Sequence, residues 1–175
     1  DAKLLDPSVP SYENQREFRA GLDAKWILRD SFTVDLTANP DFSTVESDEP
    51  QVTVNKRFEV SFPEKRPFFL ENLAYFETPM KLLFTRRIVE PEFGARLTGK
   101  FGGWSLGLLG ADDRAPGKVV DAASPLFGER TLNGAARVVR DLHKDSFVGV
   151  LVTGRQFGDS ESQLWSADTK IRLSP

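Results

Sequence analysis

Short runs that alternate apolar and polar residues constrain the fold of this chain more than any other feature. Residues 32–37 read FTVDLT, with an apolar residue at every second position, and residues 95–101 read ARLTGKF with the same period. A period of two is typical of β-strands, because successive side chains point to opposite faces of a sheet. Gly102-Gly103 is a two-residue hairpin signal that leads into a return strand over 104–110. The sequence therefore predicts antiparallel hairpins.

Turn signals between these runs divide the chain into hairpins that follow one another. Strands are predicted at residues 22–28, 32–36, 52–62, 95–101, 104–110, 132–141, 146–157 and 164–173. Residues 1–17 are polar and contain two prolines, which predicts an extended segment leading into the first strand. Helix is expected only as a turn or two within 68–80, and a loop is expected over 111–130. Consecutive hairpins predict an all-β fold, an antiparallel meander.

Length and composition limit the classes of protein that fit. The 175 residues are enough for one domain with a core, and the chain contains no cysteine and thus no disulfide. The net charge is −3, and acidic and basic residues are interspersed. The sequence thus has no basic stripe that would indicate a nucleic-acid partner. No apolar run reaches the length of a membrane-spanning helix. That observation leaves barrel strands open, since these need only about 9–11 residues each.

Five longer runs carry a resemblance to a known family. They are TVDLTANPDFSTVESDEPQV, FPEKRPFFLEN, the pair Arg86-Arg87, GARLTGKFGGWSLGLLGADDRAP and ARVVRDLHKDSFVGVLVTGR. Together they resemble a bacterial family of unknown function whose members usually follow a carbohydrate-binding-like module of the family-nine type in large exported proteins. The resemblance extends over residues 20–173 and implies a β-barrel of outer-membrane type without any reaction. We therefore expect residues 1–175 to be a single β-domain, the N-terminal part of a larger barrel.

The faces of the predicted strands fit two kinds of protein. Apolar side chains outside and polar side chains inside are typical of a membrane barrel, but a half-buried soluble sheet alternates in the same way. The resemblance favours the barrel. In that interpretation the lipid-facing side chains are Leu97, Phe101, Leu106 and Leu108, and the lumen-facing side chains are Arg96, Thr98 and Lys100.

A dense group of charges is the strongest candidate site. Its members are Glu64, Lys65, Arg66, Arg86 and Arg87. Prolines and phenylalanines flank the first three, which indicates positioned rather than mobile charges. In a soluble protein these would be surface charges of little individual value. In a barrel they would form an ion-pair network in the lumen or at the periplasmic rim and tune solute passage.

The acids near residue 45 are a weaker candidate. Asp41, Glu46 and Asp48, with Glu49 beside them, could bind Ca²⁺ through carboxylate oxygens. The Asp-x-Asp-x-Asp-Gly spacing of a calcium loop is absent, which favours a solvated turn and no cofactor. Asp35 and Asp41 could also act as the acid and base of a hydrolase. Surface carboxylates are common, however, and the sequence does not give the distance between these two, so this interpretation is disfavoured.

The remaining candidates are aromatic residues and a single histidine. Trp26, Trp104 and Trp165 are predicted to lie in the core, to form an aromatic girdle at a membrane interface, or to stack on a ligand such as a sugar. His143 is the sole histidine and lies in a predicted hairpin turn, where a solvated side chain is the ordinary outcome.

Three functions follow in order of support. The first is a segment of an outer-membrane β-barrel with a transport, solute-passage or structural role linked to glycan handling. Its partners would be outer-membrane lipid or other envelope proteins and a glycan. The second is a soluble periplasmic or secreted β-domain that binds carbohydrate or a protein. The third is a hydrolase, for which no residue set argues well, so a protein without enzymatic activity is favoured.

Overall fold

The computed structural model of the protein describes residues 2–6, 9–14, 21–29, 31–40, 63–143 and 145–173; over 2–6 and 9–14 it defines the strands alone. Two short strands, β1 (Ala2–Asp6) and β2 (Val9–Asn14), form an antiparallel pair within the segment that was expected to be extended. The predicted strand at 52–62 lies outside the described residues.

Seven further strands form one antiparallel sheet. They are β3 (Leu22–Leu28), β4 (Phe32–Ala38), β5 (Phe93–Phe101), β6 (Trp104–Asp113), β7 (Thr131–Asp141), β8 (Phe147–Phe157) and β9 (Ser160–Lys170). Their order in the sheet is their order in the chain, which confirms the all-β antiparallel meander. Over the described residues the sheet runs from β3 to β9 without closing on itself.

The tightest turns form where the sequence provides residues that tolerate a positive φ. Gly102 and Gly103 have φ values of 52° and 77° and join β5 to β6 directly, as Phe101 pairs with Trp104. Positive φ at both turn residues matches the right-handed twist of the flanking strands. Gly158, with φ of 55°, makes a comparable turn between β8 and β9. This turn starts β9 at Ser160, four residues before the predicted strand.

Helix is short but more widespread than expected. The helix α1 (Pro67–Leu70) and a 3₁₀ turn at Leu73–Phe76 lie in the predicted region. A second 3₁₀ turn at Thr85–Arg87 and the helix α2 (Ala115–Val119) lie outside it, so the confinement of helix to 68–80 was wrong. The sequence did not predict α2 because the segment contains Pro116, and proline usually argues against a helix. A proline is nevertheless well tolerated in the first turn of a helix.

The two faces of the sheet differ sharply in composition. The apolar face is defined by one row of directly paired residues, Trp26, Val34, Leu97, Leu108, Ala136, Val152 and Trp165. The covered face is defined by the adjacent row, Lys25, Asp35, Arg96, Leu109, Ala135, Thr153 and Leu164. Leu106 and Phe101 lie on the apolar face and Thr98 and Lys100 on the covered face, in the two groups that the sequence predicts.

The core lies on the covered face. Residues 63–92, which we name the cover segment, are the later part of the connection between β4 and β5 and pack against the middle of the sheet. Its buried side chains are Phe68, Phe69, Phe76 and Ile88, and they meet Leu109, Ala111 and Ala135 of the sheet. Glycine at position 107 makes room for this packing, since an added Cβ would lie 3.0 Å from the Phe76 ring. No part of the chain that the structure describes covers the apolar face: Leu108 is 39% exposed and Trp165 is 72% exposed.

Candidate functional site: a buried charge network under the cover segment

The cover segment reaches the sheet through buried charged groups as well as apolar ones. Arg66, Asp35, Arg96 and Asp113 are each at most 4% exposed, although charged side chains are rarely buried unless paired. Pro63 and Pro67 keep this part of the chain out of regular strand pairing, because proline lacks the N–H that a ladder needs. The segment therefore crosses the sheet as an irregular layer whose polar groups need partners of their own.

Glu64 and Arg66 form the centre of the first part of the network. Arg66 donates to Glu64 from Nε at 2.9 Å and from Nη2 at 2.8 Å, a bidentate ion pair. The same guanidinium donates to the carbonyl oxygen of Thr85 at 2.9 Å and to that of Ile88. Its Cζ also lies 4.4 Å from the centre of the Phe69 ring, a cation–π contact. Arg66 thus ties the start of the cover segment to the turn near its end.

The environment of Glu64 stabilises its charged form. Both Glu64 and Arg66 expose only 4% of their side chains. Burial by itself raises the pKa of Glu64, but hydrogen bonds from Arg66 and from the Thr85 hydroxyl at 2.6 Å, together with the Arg66 charge, outweigh it. The pKa of Glu64 is therefore lowered from its usual value, and the carboxylate stays ionised at neutral pH.

The other members of the predicted cluster lie around this pair rather than in it. Arg86 donates to the Pro63 carbonyl oxygen at 3.0 Å. Arg87 lies with its Cζ 5.5 Å from the centre of the Phe84 ring. The backbone N–H of Lys65 donates to Glu64, while its side chain is exposed. The structure thus joins two of the five predicted residues in one buried ion pair. Lys65 and Arg86 lie beside that pair, and Arg87 lies against Phe84.

A second ion pair, which the sequence analysis did not predict as a pair, links the sheet to the cover segment. Arg96 on β5 donates to Asp35 on the neighbouring β4 at 2.8 Å and also to the carbonyl oxygen of Phe68. Lys25 lies 3.5 Å from Asp35 and bonds Glu71 of the cover segment. Asp35 and Arg96 both occupy polar positions of alternating strands in the sequence, but the sequence does not give the register that aligns them.

Two adjacent aspartates at the end of β6 hold the exit of the cover segment. Asp113, 1% exposed, accepts hydrogen bonds from the backbone N–H groups of Val89 at 3.0 Å and Glu90 at 2.8 Å. Asp112 does the same for Glu92 and Phe93 at 2.9 Å and 2.6 Å. Carboxylates that accept from backbone N–H groups make strong, charge-assisted bonds. The sequence predicted these residues only as loop.

A third buried ion pair lies on the covered face beyond the cover segment. Arg137 on β7 and Asp168 on β9 form two hydrogen bonds of 2.7 Å and 2.8 Å across β8. Gly149 lies between them, and an added Cβ would lie 3.1 Å from the arginine. Each carboxylate in these networks is engaged by a cation or by backbone N–H groups. The arrangement is thus suited to fixing the cover segment and the strands in place.

The predicted aromatic residues all lie on the apolar face. Trp104 is the first residue of β6, beside the hairpin turn, and Arg140 lies over its ring at 5.1 Å. Trp26 and Trp165 lie within their strands, in the row that includes Leu108. The three are 49–72% exposed, so none of them belongs to the core.

The structure describes only some of the residues predicted as metal ligands or as an acid–base pair. Asp41, Glu46 and Asp48 lie outside the described residues, so the calcium hypothesis stays a prediction. Among the residues that the structure describes, no group of three potential ligands could hold a metal ion. Asp35 is engaged by Arg96, and its proposed partner Asp41 is also outside the described ranges. His143 lies in the exposed turn between β7 and β8.

Within the described residues, no helix is both long enough and apolar enough to cross a bilayer.

Comparison with known proteins gives one match. The family model described as Domain of unknown function (DUF5916) matches residues 6–97, just over half of the chain. No curated protein matches the chain, and no solved structure matches it. The matched range includes β3, β4 and the cover segment, so it contains the Glu64–Arg66 pair and both residues of the Asp35–Arg96 pair.

Proposed function

The chain belongs to the DUF5916 family, a domain of unknown function, and on this premise we propose that it is a segment of an outer-membrane β-barrel. In this proposal the apolar face meets lipid, and the covered face and the cover segment lie in the lumen. The role is solute passage or support of the barrel. A link to glycan handling rests on the resemblance to a family whose members follow a carbohydrate-binding-like module.

The observation that carries the proposal is the inverted polarity of the sheet. The face that is exposed carries leucine, valine, alanine and aromatic residues, while the face that is covered buries Asp35, Arg96 and Arg137. A soluble sheet with one covered face places its apolar residues under the cover. A membrane barrel does the opposite, because lipid replaces water on the outside and polar groups line the interior.

The distribution of charge along the strands supports the same proposal. On the apolar face, the charged residues of the seven strands are Asp112, Arg140 and Glu161, each one residue from a strand end. Between the strand ends this face forms a band without charges. The strands β5 to β9 have 9–11 residues, the length that a barrel strand needs to cross a bilayer.

The cover segment suggests how solute would pass through the lumen of such a barrel. Arg66, Arg96 and Asp113 fasten the segment through buried hydrogen bonds, so thermal motion would not displace it easily. A segment fixed in this way would narrow the lumen, and solute would pass beside it. The charges that remain in the open part would then decide which solutes are admitted.

Two exposed leucines allow a sharp test. Leu108 lies in the middle of β6 on the apolar face and is 39% exposed, while Leu142 lies in the turn after β7 and is 50% exposed. In water, arginine at either position should be tolerated about equally. In a bilayer, Leu108→Arg should cost about 2–4 kcal/mol near the midplane, and Leu142→Arg should cost little.

The measurement is insertion of the whole chain into phosphatidylcholine vesicles, followed by flotation and protease protection. The proposal expects the wild-type chain and Leu142→Arg to insert, and Leu108→Arg to insert poorly. It also expects that the wild-type chain needs detergent to stay monodisperse. Equal behaviour of the two variants, with a chain that stays monodisperse in buffer alone, would favour a soluble β-domain instead.

A further inference from the structure

We propose that the covered face contains a binding site for a small organic anion, a carboxylate carried on an apolar body. The site is a cavity of about 330 Å³ between residues 82–88 of the cover segment and the strands β6 to β9. Its volume lies within the range of small-molecule sites. It is separate from the Glu64–Arg66 and Asp35–Arg96 pairs, none of whose residues lines it.

The strand wall of the cavity presents a row of hydrogen-bond donors. Asn133 on β7, Arg155 on β8 and Ser162 on β9 are directly paired neighbours, so their side chains point to the same side about 5 Å apart. All three line the cavity. Guanidinium, amide and hydroxyl groups in one row can donate to the two oxygen atoms of a carboxylate, which together accept at about four lone-pair sites.

The charge of the lining determines the sign of the ligand. Arg87 from the cover segment and Arg155 from the sheet both line the cavity, and among the described residues no acidic side chain lines it. The carboxylate of Asp168, on the same strand as Ser162, is engaged by Arg137. The Arg155 guanidinium, in a lining without a described acid, favours an anion over a cation or a neutral solute.

A buried donor in the same wall also lacks a partner. The side-chain Nδ2 of Asn133 is buried and makes no hydrogen bond to any group that the structure describes. A buried polar group without a hydrogen bond is energetically unfavourable, and a bound acceptor would remove that cost. Asn133 lies beside Arg155, so one carboxylate could accept from both residues.

The cavity lining also contains apolar side chains, which favour an apolar body on the ligand. These side chains include Leu82, Leu83 and Phe84 of the cover segment and Leu164 of β9. Phe84 offers an aromatic surface that also lies 5.5 Å from the Arg87 guanidinium carbon. A ligand with a carboxylate at one end and a ring at the other would satisfy both walls, and benzoate is the simplest compound of that kind.

The test is isothermal titration of the whole chain, in an uncharged detergent at low salt, with benzoate and with its neutral analogue benzamide. We expect saturable binding of benzoate and weaker binding of benzamide. Arg155→Gln should weaken benzoate binding about tenfold or more, because a charge-assisted hydrogen bond is lost. Arg155→Lys should retain part of the affinity, since it keeps the charge but not the two-pronged geometry.

Arg172→Gln is the matched control. Arg172 is an exposed arginine that pairs with Asp145 and does not line the cavity, so this change should leave benzoate binding within about twofold. The proposal is overturned if benzamide binds as tightly as benzoate, if both Gln variants behave alike, or if no saturation occurs up to about 10 mM benzoate. These outcomes do not depend on whether the apolar face meets lipid, so they are separate from the vesicle test.

Discussion

Replacing Arg66 by alanine should be among the most damaging single changes in the cover segment. The Arg66 side chain bonds Glu64 twice and the carbonyl oxygens of Thr85 and Ile88, with 4% of the side chain exposed. Arg66→Ala leaves a buried carboxylate without its cation and two carbonyl groups without a donor. Removing one partner of a buried pair costs about 3–5 kcal/mol, and we expect a loss of that size.

The partner change distinguishes a direct pair from two independent charges. Glu64→Ala should also destabilise the protein, because it leaves the Arg66 guanidinium uncompensated. The double variant removes both charges, so it should cost less than the sum of the single changes by about 1–3 kcal/mol. Arg29→Ala, at an exposed turn residue, serves as the control and should change stability by less than about 0.5 kcal/mol.

Urea unfolding in uncharged detergent micelles, followed by tryptophan fluorescence, measures these free energies. The three tryptophans lie on β3, β6 and β9, so the signal reports on the whole sheet. Additive single changes, within about 0.5 kcal/mol, would refute the direct pairing. A loss from Arg66→Ala no larger than that from Arg29→Ala would refute the anchoring role of the residue.

Three further predictions concern other parts of the fold. The pKa of Glu64 is lower in the folded protein than in the unfolded chain, where it is 4.5. The Glu64 carboxylate therefore contributes its full stabilisation above pH 4.5 and loses it as the pH falls through the folded-state pKa. The urea midpoint of Glu64→Gln should thus fall less on acidification than that of the wild-type protein. Gly94→Ala should cost about 1–3 kcal/mol in the same assay, because the new Cβ lies 2.8 Å from the Phe68 ring, whereas Gly110→Ala meets nothing within 4 Å and should be tolerated. Asp113→Ala should accelerate amide hydrogen exchange at Val89 and Glu90 by about a hundredfold, and Asp121→Ala, which removes an acceptor from an exposed loop, should leave those two amides unchanged.

The sequence was sufficient for the features that depend on near neighbours in the chain. Alternation within residues 95–101 assigned Leu97 and Lys100 to opposite faces, and Gly102-Gly103 located a turn that the structure contains. Glu64 and Arg66 are two positions apart, so their proximity could be inferred from spacing and from the flanking prolines. These inferences needed only local backbone geometry.

Features that depend on register between distant strands were out of reach. Asp35 and Arg96 are 61 positions apart, and only the pairing of β4 with β5 makes them neighbours. Asp113 accepts hydrogen bonds from backbone N–H groups, which all residues except proline have. The types of side chain in the sequence therefore do not indicate which residues are its partners. Arg86 and Arg87 were predicted to meet Arg66 because prolines and aromatic residues flank these charges. They lie in a 3₁₀ turn whose direction the sequence does not specify.

The long connection between β4 and β5 sets the order in which the sheet can assemble. Closing residues 39–92 costs roughly 2–3 kcal/mol more chain entropy than closing a two-residue turn, so the strands from β5 onward should pair before β4 joins them. Until then the edge of β5 is open and Arg96 lacks its Asp35 partner. The Asp35–Arg96 ion pair therefore forms only when β4 pairs with β5, in the last step of sheet assembly. A chain that fails there would present an unpaired strand edge to other copies, which is the usual route to aggregation.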